Sequence, residues 1–274
     1  MMLRSVALAF LMLPVCVTTS VAQAVQYADV NGVTLAYRSI GQGDPLVLLH
    51  GFTQTGATWE PLLADLSSRY RVIVPDLRGH GQSTNPSGAF SHRESAEDIF
   101  GLLDELGVGR FRAIGISSGG MTLLHMATAD PPRVEAMVLI GATSYFPEEA
   151  RAIQRQSHPD SVPQAQLDQL GASHSRGVVQ ARALLEQFHG MAWSYEDMDF
   201  TPPLLSTISA ETLIVHGDRD RFFPVAIPVE QYGAIPDSYL WIVPNGPHVP
   251  LMQSPEDRTY FARRVLSFFA GEWR

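Results

Sequence analysis

Apolar and polar positions alternate on both sides of Asn31-Gly32 in VQYADVNGVTLAYRSIG, which predicts an antiparallel hairpin turning at that dipeptide. Downstream the alternation gives way to short continuous apolar runs: PLVLLH (45–50), RVIVPD (71–76), FRAIGI (111–116), VEAMVLIG (134–141), TLIVHG (212–217) and YLWIVP (239–244). Runs of this kind suit strands covered on both faces. Between most of them lie segments of helical length. In SHRESAEDIFGLLDELG, Ser91 and Glu94 can form a capping box, Ile99, Leu102, Leu103 and Leu106 recur on one face, and Gly107 ends the pattern. SPEDRTYFARRVLSFFAG predicts a closing helix with Ser254 as N-cap, Pro255 at its first position and Gly271 beyond its end. Strand alternating with helix implies an α/β chain, with a mostly parallel central sheet and helices on both faces.

One segment departs from this rhythm. From Ser144 to Ser209 no run reads as a strand, whereas EEARAIQRQ and VVQARALLEQFHGMAW have helical spacing. A stretch so long is no simple loop in a compact domain. The expected organisation is a core built from residues 25–143 and 210–274, with 144–209 inserted as a helical cap over the carboxyl ends of the strands, where open sheets place their sites.

The N-terminus differs in kind. Arg4 gives a positive start, Val6 to Val17 an apolar stretch and Ala22-Gln23-Ala24 a small-x-small pattern, so residues 1–24 read as a secretory signal peptide cleaved near Ala24. The apolar stretch falls short of the roughly 20 residues that span a bilayer. The expectation is an exported protein, periplasmic or secreted, with no stable membrane insertion. Cleavage would remove Cys16, the single cysteine, and with it disulfide and thiolate chemistry. Lipid attachment at Cys16 is the competing reading, and Val15 and Val17 on either side suit it poorly. All the basic residues are arginine, and the net charge of -9 should repel phosphate backbones and anionic membranes, so nucleic acid is not an expected partner.

The candidate chemistry starts at FRAIGISSGGM. Gly115 and Gly119 bracket Ser117 in G-x-S-x-G, a pattern able to make a sharp strand-to-helix turn that presents the hydroxyl. A serine hydroxyl needs a base, and the base needs a group to orient it. His248, in the Gly/Pro-rich VPNGPHVPL between the last strand and the closing helix, is the best-placed base, and IVHGDRDRFFP offers Asp218 and Asp220 as acids. Of the other histidines, His50 and His216 at strand ends read as structural, His80 as shaping its loop, and His125 as packed or solvent-facing on the helix after Ser117. His158, His174 and His189 are scattered without ligand spacing, so no metal site is expected.

With LVLLHGF, PDLRGHGQS, GISSGG, HGDRD and NGPH in that order over roughly residues 26–270, the chain resembles the α/β-hydrolases, in particular their serine carboxylesterases and lactonases. The resemblance implies the α/β-hydrolase fold, with Ser117 as nucleophile, Asp220 as acid, with Asp218 as the alternative, and His248 as base. It further implies an oxyanion hole from the backbone N–H groups of Phe52 and Ser118, and no cofactor. Pro247 stands before the base where many relatives have glycine, which bears on the path of that loop. Phe188, Trp193 and Tyr195 of the cap read first as ordinary core residues, and they are also the candidates for lining the substrate pocket. The expected function is hydrolysis of small carboxylic esters through an acyl-enzyme. Lactone hydrolysis, perhydrolysis and C–C bond hydrolysis use the same three residues, and a non-catalytic ligand-binding protein is the alternative of a different class.

Overall fold

The computed structural model describes residues 24–273, so the expected leader, with Cys16, lies outside the described residues apart from Ala24. Strands β1 (Gln26–Val30) and β2 (Val33–Ile40) form the antiparallel hairpin, and Asn31 and Gly32 both take positive φ, 47° and 79°, as a two-residue turn of this hand requires. Then come β3 (Pro45–Leu49), α1 (Glu60–Ser67), β4 (Arg71–Pro75), α2 (His92–Glu105), β5 (Phe111–Ile116), α3 (Ser118–Ala129) and β6 (Val134–Ile140). Helices α4 (Glu148–Gln156), α5 (Gln164–Gly171), α6 (Gly177–Gly190) and the short α7 (Pro202–Leu205) precede β7 (Glu211–Gly217). Helix α8 (Ala226–Ala234), β8 (Ser238–Val243) and α9 (Pro255–Phe269) complete the chain.

The eight strands lie in the order β1-β2-β4-β3-β5-β6-β7-β8. β2 runs antiparallel to β1 and β4, and every other pair is parallel. Winding reverses at β3: the chain moves outward to β4, then crosses back to β5 on the other side. That reversal leaves a crevice beyond the carboxyl ends of β3 and β5. The continuous apolar runs are explained by the two layers. Leu46 and Leu48 of β3 pack with Leu62, Leu66, Phe261 and Phe268 of α1 and α9, while Val47 and Leu49 face the layer of α2 and α3 with Ile99, Leu102, Leu103 and Leu123.

The caps act as the local pattern implies. Ser91 Oγ accepts the Glu94 N–H at 3.1 Å and donates to its carboxylate at 3.0 Å, and Ser254 Oγ accepts the Asp257 N–H at 3.0 Å. Helices α1, α5 and α8 carry weaker patterns. AIPVEQYGA of α8 contains Pro228 and Gly233, yet it is helical because Pro228 lies in its first turn and Ile227 is buried against the sheet.

Between β6 and β7 the described residues contain helices and one isolated bridge, Tyr145 to Asp199, in place of a strand. This segment rests on the loop after β4. Gln180 Nε2 donates to the Gly79 and Gly81 carbonyls at 2.7 and 3.1 Å, and His174 Nδ1 accepts the Gly81 N–H at 2.8 Å. Among the described residues no helix is long and apolar enough to cross a membrane.

Candidate active site

Ser117 stands between β5 and α3 at φ 49° and ψ -115°, a strained conformation for a residue with a Cβ. Close approach explains the flanking glycines. A Cβ on Gly115 would lie 2.5 Å from the Gly119 carbonyl carbon, and one on Gly119 would lie 2.3 Å from the Leu49 carbonyl oxygen. Only hydrogens fit there, so α3 starts directly against β3 and β5.

The Ser117 hydroxyl donates to His248 Nε2 at 3.0 Å, and His248 Nδ1–H donates to Asp220 Oδ2 at 2.7 Å. The Asp220 side chain is fully buried and also accepts the Phe222 and Phe223 N–H groups at 2.7 and 3.2 Å. These four bonds leave the imidazole one orientation and one tautomer. Rings of Phe222 and Phe223 lie 4.7 and 5.3 Å from the His248 ring. The structure gives Asp218 no such contact: its carboxylate lies 3.8 Å from the Arg219 guanidinium. Gly217 at the end of β7 lets the loop of Pro247 approach closely; a Cβ there would lie 2.1 Å from the Pro247 carbonyl oxygen.

Phe52 and Ser118 line the same cavity as Ser117 and His248. Ser118 opens α3, so its N–H has no acceptor within the helix. Phe52 N–H has no protein acceptor among the described residues, whereas its neighbours are taken: Gly51 N–H donates to Gln54 Oε1 and Thr53 N–H to His80 Nε2. An apolar cavity of about 220 Å³ opens above Ser117, walled by Phe52, Phe146, Phe188 and Phe222 among others. It is compact beside the roughly 300–1,000 Å³ of common small-molecule sites.

Of the three aromatic residues expected in the pocket, only Phe188 lines it. Trp193 and Tyr195 are 55% and 65% exposed, with Trp193 against the His189 ring and Tyr195 against the Arg151 guanidinium. The cause is helical register. Leu185, Phe188 and Met191 recur three apart on the inner face, and Trp193 and Tyr195 fall past it.

Two residues that the sequence did not single out lie behind the turn. His92, fully buried at the start of α2, donates from Nδ1 to Asp197 Oδ2 at 2.6 Å, and its Nε2 accepts the Ser118 hydroxyl at 3.1 Å. Asp197 also accepts the His92 and Arg93 N–H groups. Burial disfavours the charge of Asp197, but hydrogen bonds from His125 and His92 outweigh it and hold the carboxyl well below its usual range. His92 and Asp197 are far apart in the chain, and no local pattern marks either one.

The remaining histidines bond to backbone. His50 Nδ1–H donates to the Gly51 carbonyl at 2.8 Å and Nε2 accepts the Leu77 N–H at 3.0 Å, while His216 Nε2–H donates to the Phe223 carbonyl at 2.9 Å. His125 is packed rather than solvent-facing, donating to the Asp197 carbonyl at 2.7 Å. Among the described residues no group of three or more His, Cys, Asp or Glu is placed to hold a metal ion. A hydroxyl on an oriented imidazole beside two N–H groups that have no acceptor of their own among the described residues is equipped for nucleophilic attack on a carbonyl carbon.

Residues 44–203 match the family described as the alpha/beta hydrolase fold. A 2-hydroxy-6-oxo-2,4-heptadienoate hydrolase of Pseudomonas putida is 28% identical over 269 residues, covering 88% of this chain and 95% of that protein. The crystal structure of an esterase from Rhodococcus sp. ECU1013 superposes with a TM-score of 0.73 at 25% identity, over 90% of this chain and 98% of that one. The enol-lactonase from Burkholderia xenovorans LB400 has the same fold, with a TM-score of 0.73 at 22% identity, over 89% of this chain and all of that one.

Proposed function

The chain belongs to the α/β-hydrolase family, and from that premise we propose that it hydrolyses small carboxylic esters through an acyl-enzyme on Ser117. The observation that carries this reading is the hydrogen-bonded chain from Ser117 through His248 to Asp220, opening on an apolar cavity. His248 Nε2 takes the hydroxyl proton as Ser117 Oγ attacks the ester carbonyl, and Asp220 stabilises the imidazolium. The carbonyl oxygen gains charge as it becomes tetrahedral, and the Phe52 and Ser118 N–H groups receive it; a single donor of this kind is typically worth about 3–4 kcal/mol of barrier. Collapse breaks the C–O bond, and His248 returns the proton to the leaving alcohol. Water then attacks the acyl-enzyme with His248 again as base, releasing the acid and restoring the serine. Every proton is handled by these side chains and water, so the cycle needs no cofactor. Cyclic esters open by the same steps.

The test is turnover of short-chain p-nitrophenyl esters by the purified protein, with Ser117→Ala as the control. Wild type should turn over, and an alkyl fluorophosphonate should label it at Ser117. The variant should lose several orders of magnitude in kcat while keeping its circular dichroism spectrum, since members of such a set act as a unit. Near-wild-type turnover by Ser117→Ala would remove the nucleophile assignment.

A further inference from the structure

No Asp, Glu, Lys or Arg lines the cavity above Ser117. Its polar side chains are mostly committed elsewhere: Gln54 Oε1 accepts the Gly51 N–H at 3.0 Å, and the Ser157 hydroxyl donates to the Ile153 carbonyl at 2.8 Å. Gln154 differs. It lies on α4, is 1% exposed, and its Oε1 is the one buried side-chain polar atom of the cavity lining without a hydrogen-bond partner among the described residues. The helix that carries it is held firmly. The Gln154 carbonyl accepts from His189 Nδ1 at 3.2 Å, and Arg151, one turn earlier, donates to the carbonyls of Phe146 and Ala192 at 3.1 and 2.8 Å. The amide is therefore presented from a fixed backbone, not from a mobile loop.

A buried acceptor without a donor costs free energy, and a bound molecule that brings an N–H or O–H to it recovers that cost. A carboxylate brought to the same place would lose its water among aromatic rings, meet an amide oxygen of like polarity, and find no cation. We propose that Gln154 is the specificity-determining residue of this cavity, and that the substrate is a neutral ester bearing a second polar group, a hydroxyl or amide N–H, that donates to Gln154 Oε1. The proposal rests on the serine-hydrolase reading of Ser117, and it separates this chain's substrate from acids such as the dienoate in its relative's name.

Four ethyl esters of similar size, followed by proton release, test it: ethyl butanoate, ethyl 3-hydroxybutanoate, N-acetylglycine ethyl ester and monoethyl succinate. At least one donor-bearing ester should exceed ethyl butanoate in kcat/KM by about tenfold or more, the effect of pairing one buried acceptor. Monoethyl succinate should fall below ethyl butanoate. Gln154→Leu, which keeps the bulk and removes the acceptor, should bring the donor-bearing and plain esters to near parity. The proposal is overturned if ethyl butanoate matches or exceeds both donor-bearing esters, if monoethyl succinate is preferred, or if the donor preference survives in Gln154→Leu. Should that variant misfold, seen as failure of the fluorophosphonate to label Ser117, the wild-type ratios decide alone. Turnover of ethyl butanoate without donor preference removes only the role of Gln154. Failure on all four esters together with an unlabelled Ser117 removes the serine-hydrolase reading as well.

Discussion

Ser117 is held in a conformation that a serine elsewhere would avoid, and its hydroxyl meets the one imidazole whose other nitrogen is bonded to a fully buried carboxylate. Two aspartates two residues apart follow β7, and their surroundings separate them. Asp220 points inward to His248 and two backbone N–H groups; Asp218 lies beside Arg219. Asp220→Asn should cut kcat by roughly 10⁴-fold, because the amide no longer enforces the tautomer with an acceptor nitrogen toward Ser117. Asp218→Asn should change kcat by much less. Steady-state kinetics of the two variants side by side checks this, and a collapse confined to Asp218→Asn would reverse the choice of acid. The residue types and their order were readable along the chain. Which aspartate faces inward depends on how the loop after β7 closes around Phe222 and Phe223, and a two-residue spacing does not contain that.

The segment between β6 and β7 is tied to the core outside the sheet, by side chains and by the Ser175 N–H, which donates to the Gly81 carbonyl at 3.0 Å. Asp197 reaches the N-terminal end of α2, where unsatisfied N–H groups of His92 and Arg93 and the positive end of the helix dipole favour a carboxylate. Through His92 the tie extends to the Ser118 hydroxyl, next to Ser117. Asp197→Ala leaves the donors of buried His92 without their acceptor, so it should lower stability by about 1–3 kcal/mol. Urea unfolding should show a lower midpoint with an unchanged slope, and an unchanged midpoint would refute the tie. Because the folded carboxyl is held below its unfolded value of about 3.9, its contribution is complete above that pH and is lost as pH falls toward the folded value. Helix α6 makes the same point about register. Its helical spacing was apparent, but the face that turns toward Ser117 is set by docking on the loop after β4, and that leaves Trp193 and Tyr195 outside.

The fold buries His50 and His80 where burial disfavours their charged form. His50 and His80 are fully buried; desolvation lowers both, His80 the further, with the charge of neighbouring histidines adding to it. Each also uses one ring nitrogen as acceptor, from Leu77 N–H and Thr53 N–H, so a second proton would break a bond. With folded values below the unfolded value of about 6.5, the unfolded chain binds more protons in the interval between them. The neutral histidines therefore contribute fully above pH 6.5 or so, and stability is lost as pH falls from there through the folded values. Tm should be level from about pH 8 to 7 and decline below about pH 6.5. A Tm level down to pH 5 would show that these rings are not buried neutral. The sequence contains no indication of this sensitivity beyond the presence of histidine at strand ends.

Local information along the chain was enough for the strands, the capped helices α2 and α9, the turn at Asn31-Gly32, and the residue types around Ser117. Each of these depends on neighbours within a few positions: alternation sets a strand's faces, a serine caps its own helix, and glycines beside a serine permit a tight turn. The family resemblance pointed to Asp220 and the fold seats it against His248, but only the folded chain decided that Gly217 gives Pro247 its passage, that Phe188 faces Ser117 while Trp193 and Tyr195 do not, and that His92, Asp197 and Gln154 matter. These depend on side chains far apart in sequence arriving within a few ångströms of one another. Such meetings are fixed by how layers dock and how helices rotate into register, and a one-residue rotation of a helix reverses the outcome without altering its hydrophobic pattern enough to be noticed.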